Sequence, residues 1–201
     1  MEVNMAELLY QGHGSFRLTA EDKRVVYIDP YAGEGYDLAA DLILVSHEHG
    51  DHNMVERVTK KNDTVVLRAR DMLIDGIYKT KEVRGIKIKA VPACNKNHPV
   101  DRCVGFVIYV DGLSFYFAGD TSTTNAMKDT LPGLKLDYAF LPTDGIYNMD
   151  VNEASRCAGI IGARHTVPVH MKPGALFSEE VAAKFSCEGK LVIRAGESVK
   201  L

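Results

Sequence analysis

The sequence predicts an α/β protein in which two largely antiparallel sheets are flanked by helices. Runs rich in β-branched and aromatic residues outnumber helical patterns, and helical patterns occur in both halves. Near the middle, Asp111-Gly112 joins two apolar runs as a two-residue hairpin turn. In order, the expected strands are Glu7–Tyr10, Ser15–Leu18, Arg24–Ile28, Leu42–Val45, Thr64–Leu67 and Ile86–Val91. Gly105–Val110, Leu113–Phe117, Tyr138–Leu141, Thr166–Val169 and Leu191–Ile193 follow.

Four segments predict helices. Met54–Lys61 follows a histidine cluster, and Thr124–Thr130 follows Gly119-Asp120. Asn152–Ile161 opens after Asp150, a good capping residue, and Ser178–Phe185 opens on Ser178 with two acids in its first turn. No low-complexity stretch, linker or short-period repeat interrupts the pattern, so residues 1–201 are expected to form a single domain.

Composition narrows the function. Hydrophobic residues make up 46% and charged residues 25%, the profile of an ordinary globular protein. A net charge of -3 gives no reason to expect nucleic acid as a main partner, because phosphate binding needs a basic face. The stretch Met1–Glu7 has neither a basic leader nor an apolar core, and no run approaches the roughly 20 apolar residues that span a bilayer. No membrane partner is therefore expected, and the cytoplasm is the default location. Cys94, Cys103, Cys157 and Cys187 are scattered without a CxxC pair and read as free thiols.

The chemistry is concentrated in His47-Glu48-His49-Gly50-Asp51-His52, directly after the apolar run Leu42–Val45. Strand-to-loop edges are where a rigid scaffold aims functional side chains. His47 and His49, two apart in an extended turn, can face one metal. Asp51 and His52, where the chain tightens toward the expected helix, can face a second, with Gly50 easing the sharp path between the pairs. Asp51 alone could be a helix cap, but three histidines and an aspartate in six residues exceed what a cap needs. Imidazole and carboxylate at this density suit zinc, manganese or iron.

These residues form an HxHxDH motif, and with it the chain resembles the metallo-β-lactamase fold superfamily over nearly its whole length. Gly119-Asp120-Thr121 resembles the family's bridging aspartate element, and Pro168-Val169-His170 its final histidine. His98, in the loop Asn95–Pro99, sits where the family places its third first-site histidine. Gly12–Phe16, Ile28-Asp29-Pro30 and Gly145–Asp150 are similar to segments of small lactonase-like members related to ascorbate-6-phosphate lactonase.

The resemblance implies a four-layer αβ/βα sandwich and two divalent metal ions, zinc foremost, with manganese or iron as alternatives. His47, His49 and His98 would hold the first metal; Asp51, His52 and His170 the second; Asp120 would bridge them. Asp29 would support a histidine or the motif loop from behind. His13 would line the pocket or be a satisfied buried histidine, and His165 would be structural. Asp51 and Asp120 carry catalytic roles as ligands that orient the nucleophile, while Tyr147 or Asp144 would orient substrate or donate a proton.

The implied reaction is hydrolysis by a metal-bridging hydroxide, formed near neutral pH between two metals about 3.5–4 Å apart. Only 50 positions separate Asp120 from His170, leaving no room for the inserted domain of nucleic-acid-processing members. No basic insertion like that of tRNA 3′-processing endonucleases occurs, and the chain after His170 is too short for the helical substrate domain of glyoxalase II enzymes. His49 stands where diiron flavoproteins carry Glu, and their flavin domain is missing. The expected substrate is a small ester, lactone or phosphoester. A phosphodiesterase of the same superfamily and a non-catalytic metal-binding or sensing protein are the alternatives.

Overall fold

The computed structural model describes residues 5–201. Residues 1–4, most of the stretch Met1–Glu7, lie outside them. The first sheet is built from β1 (Glu7–Gly12), β2 (Ser15–Thr19), β3 (Val25–Ile28), β4 (Ala40–Val45), β5 (Lys60–Arg68) and a late strand, β14 (Ser198–Lys200), in the order β14-β1-β2-β3-β4-β5. Between the sheets in sequence come a short helix α1 (Ala69–Met72) and a small hairpin of β6 (Leu73–Ile74) and β7 (Ile77–Tyr78). The second sheet takes β8 (Thr80–Val83), β9 (Ile86–Pro92), β10 (Val104–Val110), β11 (Leu113–Phe117), β12 (Tyr138–Pro142) and β13 (His165–Val169), in the order β13-β12-β11-β10-β9-β8.

Both sheets share one pattern. β14-β1-β2-β3 and β8-β9-β10-β11 are antiparallel, while β3-β4-β5 and β11-β12-β13 are parallel. Strands β1, β3, β4 and β5 consequently run in one direction, as do β9, β11, β12 and β13. β4 is buried along its whole length, as a parallel strand covered on both faces must be, which explains its unbroken run Leu42-Ile43-Leu44-Val45.

The inner faces meet in one core. Tyr10, Phe16, Ile28 and Leu44 from the first sheet pack with Ile88, Phe106, Phe117 and Phe140 from the second. The outer face of the second sheet is covered by α2 (Asn125–Asp129) and α3 (Val151–Ile161), with Val107 and Tyr116 packed against Met127, Ala154 and Ile161. Helix α3 buries Ala154, Cys157, Ala158 and Ile161, the spacing of one helical face. Asp150 caps it by accepting from the Glu153 amide at 2.7 Å. A fourth helix, α4 (Glu179–Lys184), is capped by Ser178.

Three expectations need correction. The helix expected at Met54–Lys61 is only a 3-10 turn at Val55–Arg57, and from Lys60 the chain is already β5. Met54 offers no capping side chain, and Thr59, Asn62, Asp63 and Thr64 are poor helix formers beside an open parallel edge of β4. The outer face of the first sheet, Tyr27, Ile43 and Val45, is therefore covered by Tyr36 and Val58 from loops. Leu191–Ile193 is not a strand: Leu191 and Gly189 each make one backbone bond with Thr166, and glycines at 189 and 196 end the run. Gly50 has no left-handed backbone and open space around it, so nothing there requires glycine. The four cysteines are free thiols. No helix among the described residues is long and apolar enough to cross a membrane.

Candidate metal centre

Because the strands named above run in common directions, their C-terminal ends open at one edge of the sandwich, where ligand sites of α/β sheets form. His13 follows β1, Asp29 follows β3, and His47 follows β4. On the other sheet His98 lies in the loop after β9, Asp120 follows β11, Asp144 follows β12, and His170 follows β13. His13, Asp29 and His170 all hold left-handed backbone, with φ of 54°, 46° and 45°. Such strain in non-glycine residues persists where surrounding structure enforces it, often at functional sites. Gly14 is required for space: a Cβ there would lie 2.9 Å from His52 Cε1.

The side chains converge in three groups whose ligand atoms lie within 4.8 Å of one another: His47, His49 and His98; His13, Asp51, His52 and His170; and His47, His52 and Asp120. All are buried except His49, which is exposed, and Asp51, which is partly so. The Asp120 carboxylate lies between the first two groups. Its Oδ2 is 3.3 Å from His98 Nε2, while its Oδ1 is 3.2 Å from His52 Nε2 and 3.4 Å from His170 Nε2.

Behind these atoms, polar partners fix each ring. Asp29 accepts from His52 Nδ1 at 2.9 Å, from the Ser46 hydroxyl at 2.6 Å and from the Ser46 amide at 2.7 Å. With its proton given to Asp29, the Ser46 oxygen accepts from His47 Nδ1 at 2.9 Å. Asp29 thus fixes the Nδ1 protons of two histidines and turns both Nε2 atoms toward the cluster. His98 Nδ1 donates to Asn95 Oδ1 at 2.8 Å; Asn95 Nδ2 donates to Asn148, and Asn148 Nδ2 to Asp144 Oδ2 at 2.7 Å. The same Asp144 oxygen lies 3.0 Å from His170 Nδ1, at ion-pair distance though out of line for a hydrogen bond.

Electrostatics follow from burial and neighbours. Burial pushes the His47 imidazole down to about 2, helped by His52. Burial also lowers His13 and His98, so these rings are neutral near pH 7. Burial acts on His52 too, but Asp120 and Asp29 on either side outweigh it and hold the ring well above its ordinary value. Burial would raise Asp120 and Asp51. His52 and His170 outweigh it at Asp120, the His13 hydrogen bond and His52 at Asp51, and both carboxylates stay well below their ordinary range.

The residues fit a metal. Among the described residues, Nε2 of His47, His52 and His170 and Oδ1 of Asp120 are buried without a hydrogen-bond partner. Each such atom costs about 1–3 kcal/mol unless something satisfies it. Three imidazole nitrogens and a carboxylate oxygen, aimed at one region, are the ligand chemistry of a divalent cation.

The structure brings together every residue expected to hold metal. It also places His13 in the second group: its Nε2 is 3.2 Å from Asp51 Oδ2 and its ring is 3.7 Å from that of His170. Tyr147 is half exposed and lines the cleft above the ligands with Asp51 and Asp120. Asp144 corrects the expectation that it faces substrate. Its buried carboxylate accepts from the amides of Ile146, Tyr147 and Asn148, and the His170 contact with these amides draws it down to about 2 against burial. His165 opens β13 at the far end, against Tyr138. Sequence reasoning missed Ser46, Asn95 and Asn148; Ser46 adjoins His47 and Asn95 stands three before His98, whereas Asn148 has no such local signal.

A beta-lactamase superfamily domain matches residues 7–170. A UPF0173 metal-dependent hydrolase of Thermococcus onnurineus is 31% identical over 98% of this chain and 100% of its own length. Another from Methanoregula boonei is 36% identical over 81% of each chain. Among solved structures, a Parabacteroides distasonis protein classed with metal-dependent hydrolases superposes with a TM-score of 0.79 at 28% identity, covering 96% of this chain and 94% of that one. Together with the ligand cluster at the strand ends, these matches show that the chain belongs to the UPF0173 metal-dependent hydrolase family of the metallo-β-lactamase superfamily.

Proposed function

We propose that this chain is a cytoplasmic, single-domain hydrolase that holds two divalent cations, zinc foremost, and cleaves a small-molecule ester, lactone or phosphoester. The observation that carries the two-metal reading is the orientation of Asp120. One carboxylate oxygen faces His98 of the first group, and the other, left without a hydrogen bond, faces His52 and His170 of the second. His47, His49 and His98 would hold one ion, and Asp51, His52 and His170 the other, with Asp120 shared. Bound there, the ions supply a hydrolytic nucleophile from water near neutral pH and polarise the bond under attack.

The chain's own residues do the rest. Asp29, Asn95 and Asp144 hold the imidazoles in place from behind. His13, bonded to Asp51, keeps that carboxylate anionic and directed into the cleft, where it can accept a hydrogen bond from water. Tyr147 overhangs the same cleft and can orient substrate or donate a proton to the leaving group. The cleft, about 350 Å³, has the size of a small-molecule site.

The test is metal analysis of the purified protein combined with a screen of the metal-loaded enzyme against lactones, phosphodiesters, thioesters and β-lactams. Two equivalents of metal per chain and hydrolysis abolished by Asp120→Ala are expected. Full activity with one equivalent would overturn the dinuclear reading, and full activity of Asp120→Ala would overturn the site. Turnover confined to bis-aryl phosphates would identify a phosphodiesterase.

A further inference from the structure

Beside the ligand cluster lies a larger cavity of about 540 Å³, with His47 and His49 in one wall and Arg70, Asp101 and Arg102 among its other lining residues. It adjoins the cleft over the ligands at His49 and Asn97, which line both. Arg70 stands here because β5 runs parallel to β4 and delivers α1 to the same edge as His47. Arg102 arrives from the other sheet, just before β10.

These two arginines differ from most others in the chain. Arg17, Arg24, Arg68, Arg84 and Arg194 each stand within ion-pair distance of a carboxylate. Arg57 donates to backbone carbonyls of Tyr31 and Gly33 and lies over the Tyr36 ring. Arg70 and Arg102 make no ion pair and no side-chain hydrogen bond among the described residues, and both are exposed to the cavity's solvent. The cavity's Glu48 is already engaged by Arg68 at 2.7 Å, which leaves Asp101 as the one uncompensated acid in the lining. Two free guanidinium groups beside a hydrolytic centre form a receptor for an oxyanion, since the planar fork matches carboxylate and phosphate oxygens.

We propose that this cavity is a subsite for an oxyanion carried by the substrate, a carboxylate or phosphate group some atoms from the scissile bond, bound by Arg70 and Arg102. Resting on the hydrolase reading above, it narrows the substrate class to anionic esters, lactones or phosphoesters. The anion would anchor on the His49 side and present the scissile bond to the ligand cluster through the shared wall.

The experiment titrates inorganic phosphate and, separately, glutarate into the metal-loaded full chain by calorimetry, with metal content measured on each sample. Arg70→Gln/Arg102→Gln is expected to weaken binding about tenfold or more without changing metal content. Arg156→Gln/Arg164→Gln is the control: both arginines lack ion pairs among the described residues, but one lies on α3 and the other just before β13, at its opposite end. The control pair should bind like the wild type. Tighter binding of phosphate or of glutarate identifies which oxyanion the subsite prefers.

Equal affinity in the wild type and the cavity variant would overturn the proposal, as would an equal loss in the control pair or no binding by the wild type. A kinetic arm uses two 4-nitrophenyl esters, one with a methyl end and one with a carboxylate end. KM for the charged ester alone should rise in the cavity variant, with kcat little changed. If neither ester is cleaved while anion affinity still falls, the subsite stands and the hydrolase reading is at fault. If both are cleaved and affinity is unchanged, the subsite fails and the hydrolase reading stands.

Discussion

Asp29→Asn removes one charge and almost no volume, yet it should weaken metal binding. Asp29 accepts three buried hydrogen bonds, from His52 Nδ1 and from the hydroxyl and amide of Ser46. An asparagine amide can accept at its oxygen but must donate at its nitrogen. With the oxygen on the Ser46 amide, the new NH2 faces His52 and the Ser46 hydroxyl, both of which were donors. His52 can then escape the clash only by moving its proton to Nε2, the atom that should bind metal. Loss of such a supporting partner lowers metal affinity about 10–100-fold, or about 1.4–2.8 kcal/mol. The mismatched buried donors should lower folding stability by a further 1–3 kcal/mol or so. Backbone strain does not confuse the result, because Asn tolerates the left-handed conformation that Asp29 holds at φ 46°. The assay is competition for zinc against a chromophoric chelator, with a parallel thermal melt. Unchanged affinity for both equivalents of metal would refute the role assigned to Asp29.

Other expectations follow from the same geometry. Gly14→Ala would place a Cβ 2.9 Å from His52 Cε1, on a ring pinned from behind by Asp29, so metal analysis should show loss at the second position while circular dichroism stays unchanged. Chelation of the metal-loaded protein should lower its melting temperature, because ligands that bind only the folded state stabilise it, by about 4 kcal/mol at a thousandfold excess over Kd; an unmoved melt would mean that the buried ligand atoms hold nothing. Asp41, buried at the other end of β4, accepts from the Val25 amide at 2.9 Å and pairs with Lys61 at 2.7 Å and Arg84 at 2.5 Å. Burial pushes its carboxyl up, but Lys61, the Val25 amide and Arg84 outweigh it and lower the value. A carboxyl depressed in the folded state contributes stability above its unfolded value, about 3.9, and loses it as pH falls through the folded value. Asp41→Asn should therefore cost about 1 kcal/mol at pH 7, given the solvent around Lys61 and Arg84, and the deficit should shrink below about pH 4 in urea melts with metal content unaffected.

The amino-acid order alone determined the α/β class, most of the strands, the capped helix α3 and the ligand candidates of the HxHxDH segment. That much is legible because metal chemistry accepts few side chains, and because residues close in sequence stay close in space. The sheet packing decided the rest. Asp29 reaches Ser46 and His52 because β3 and β4 are parallel neighbours, and His98 connects to Asp144 through Asn95 and Asn148, which lie 53 positions apart in the chain. No local pattern encodes such contacts. The segment 54–61 carried enough apolar spacing to read as a helix, but the open parallel edge of β4 drew Lys60 onward into a strand. His13 looked like a pocket histidine until the turn after β1 set it against Asp51 and His170. The arginines of the larger cavity carry no motif at all, and they acquire meaning only where β5 and β10 bring them to one edge. Residue type sets which chemistry is available, whereas strand direction sets which residues share an edge, and that second property exists only once both sheets have formed.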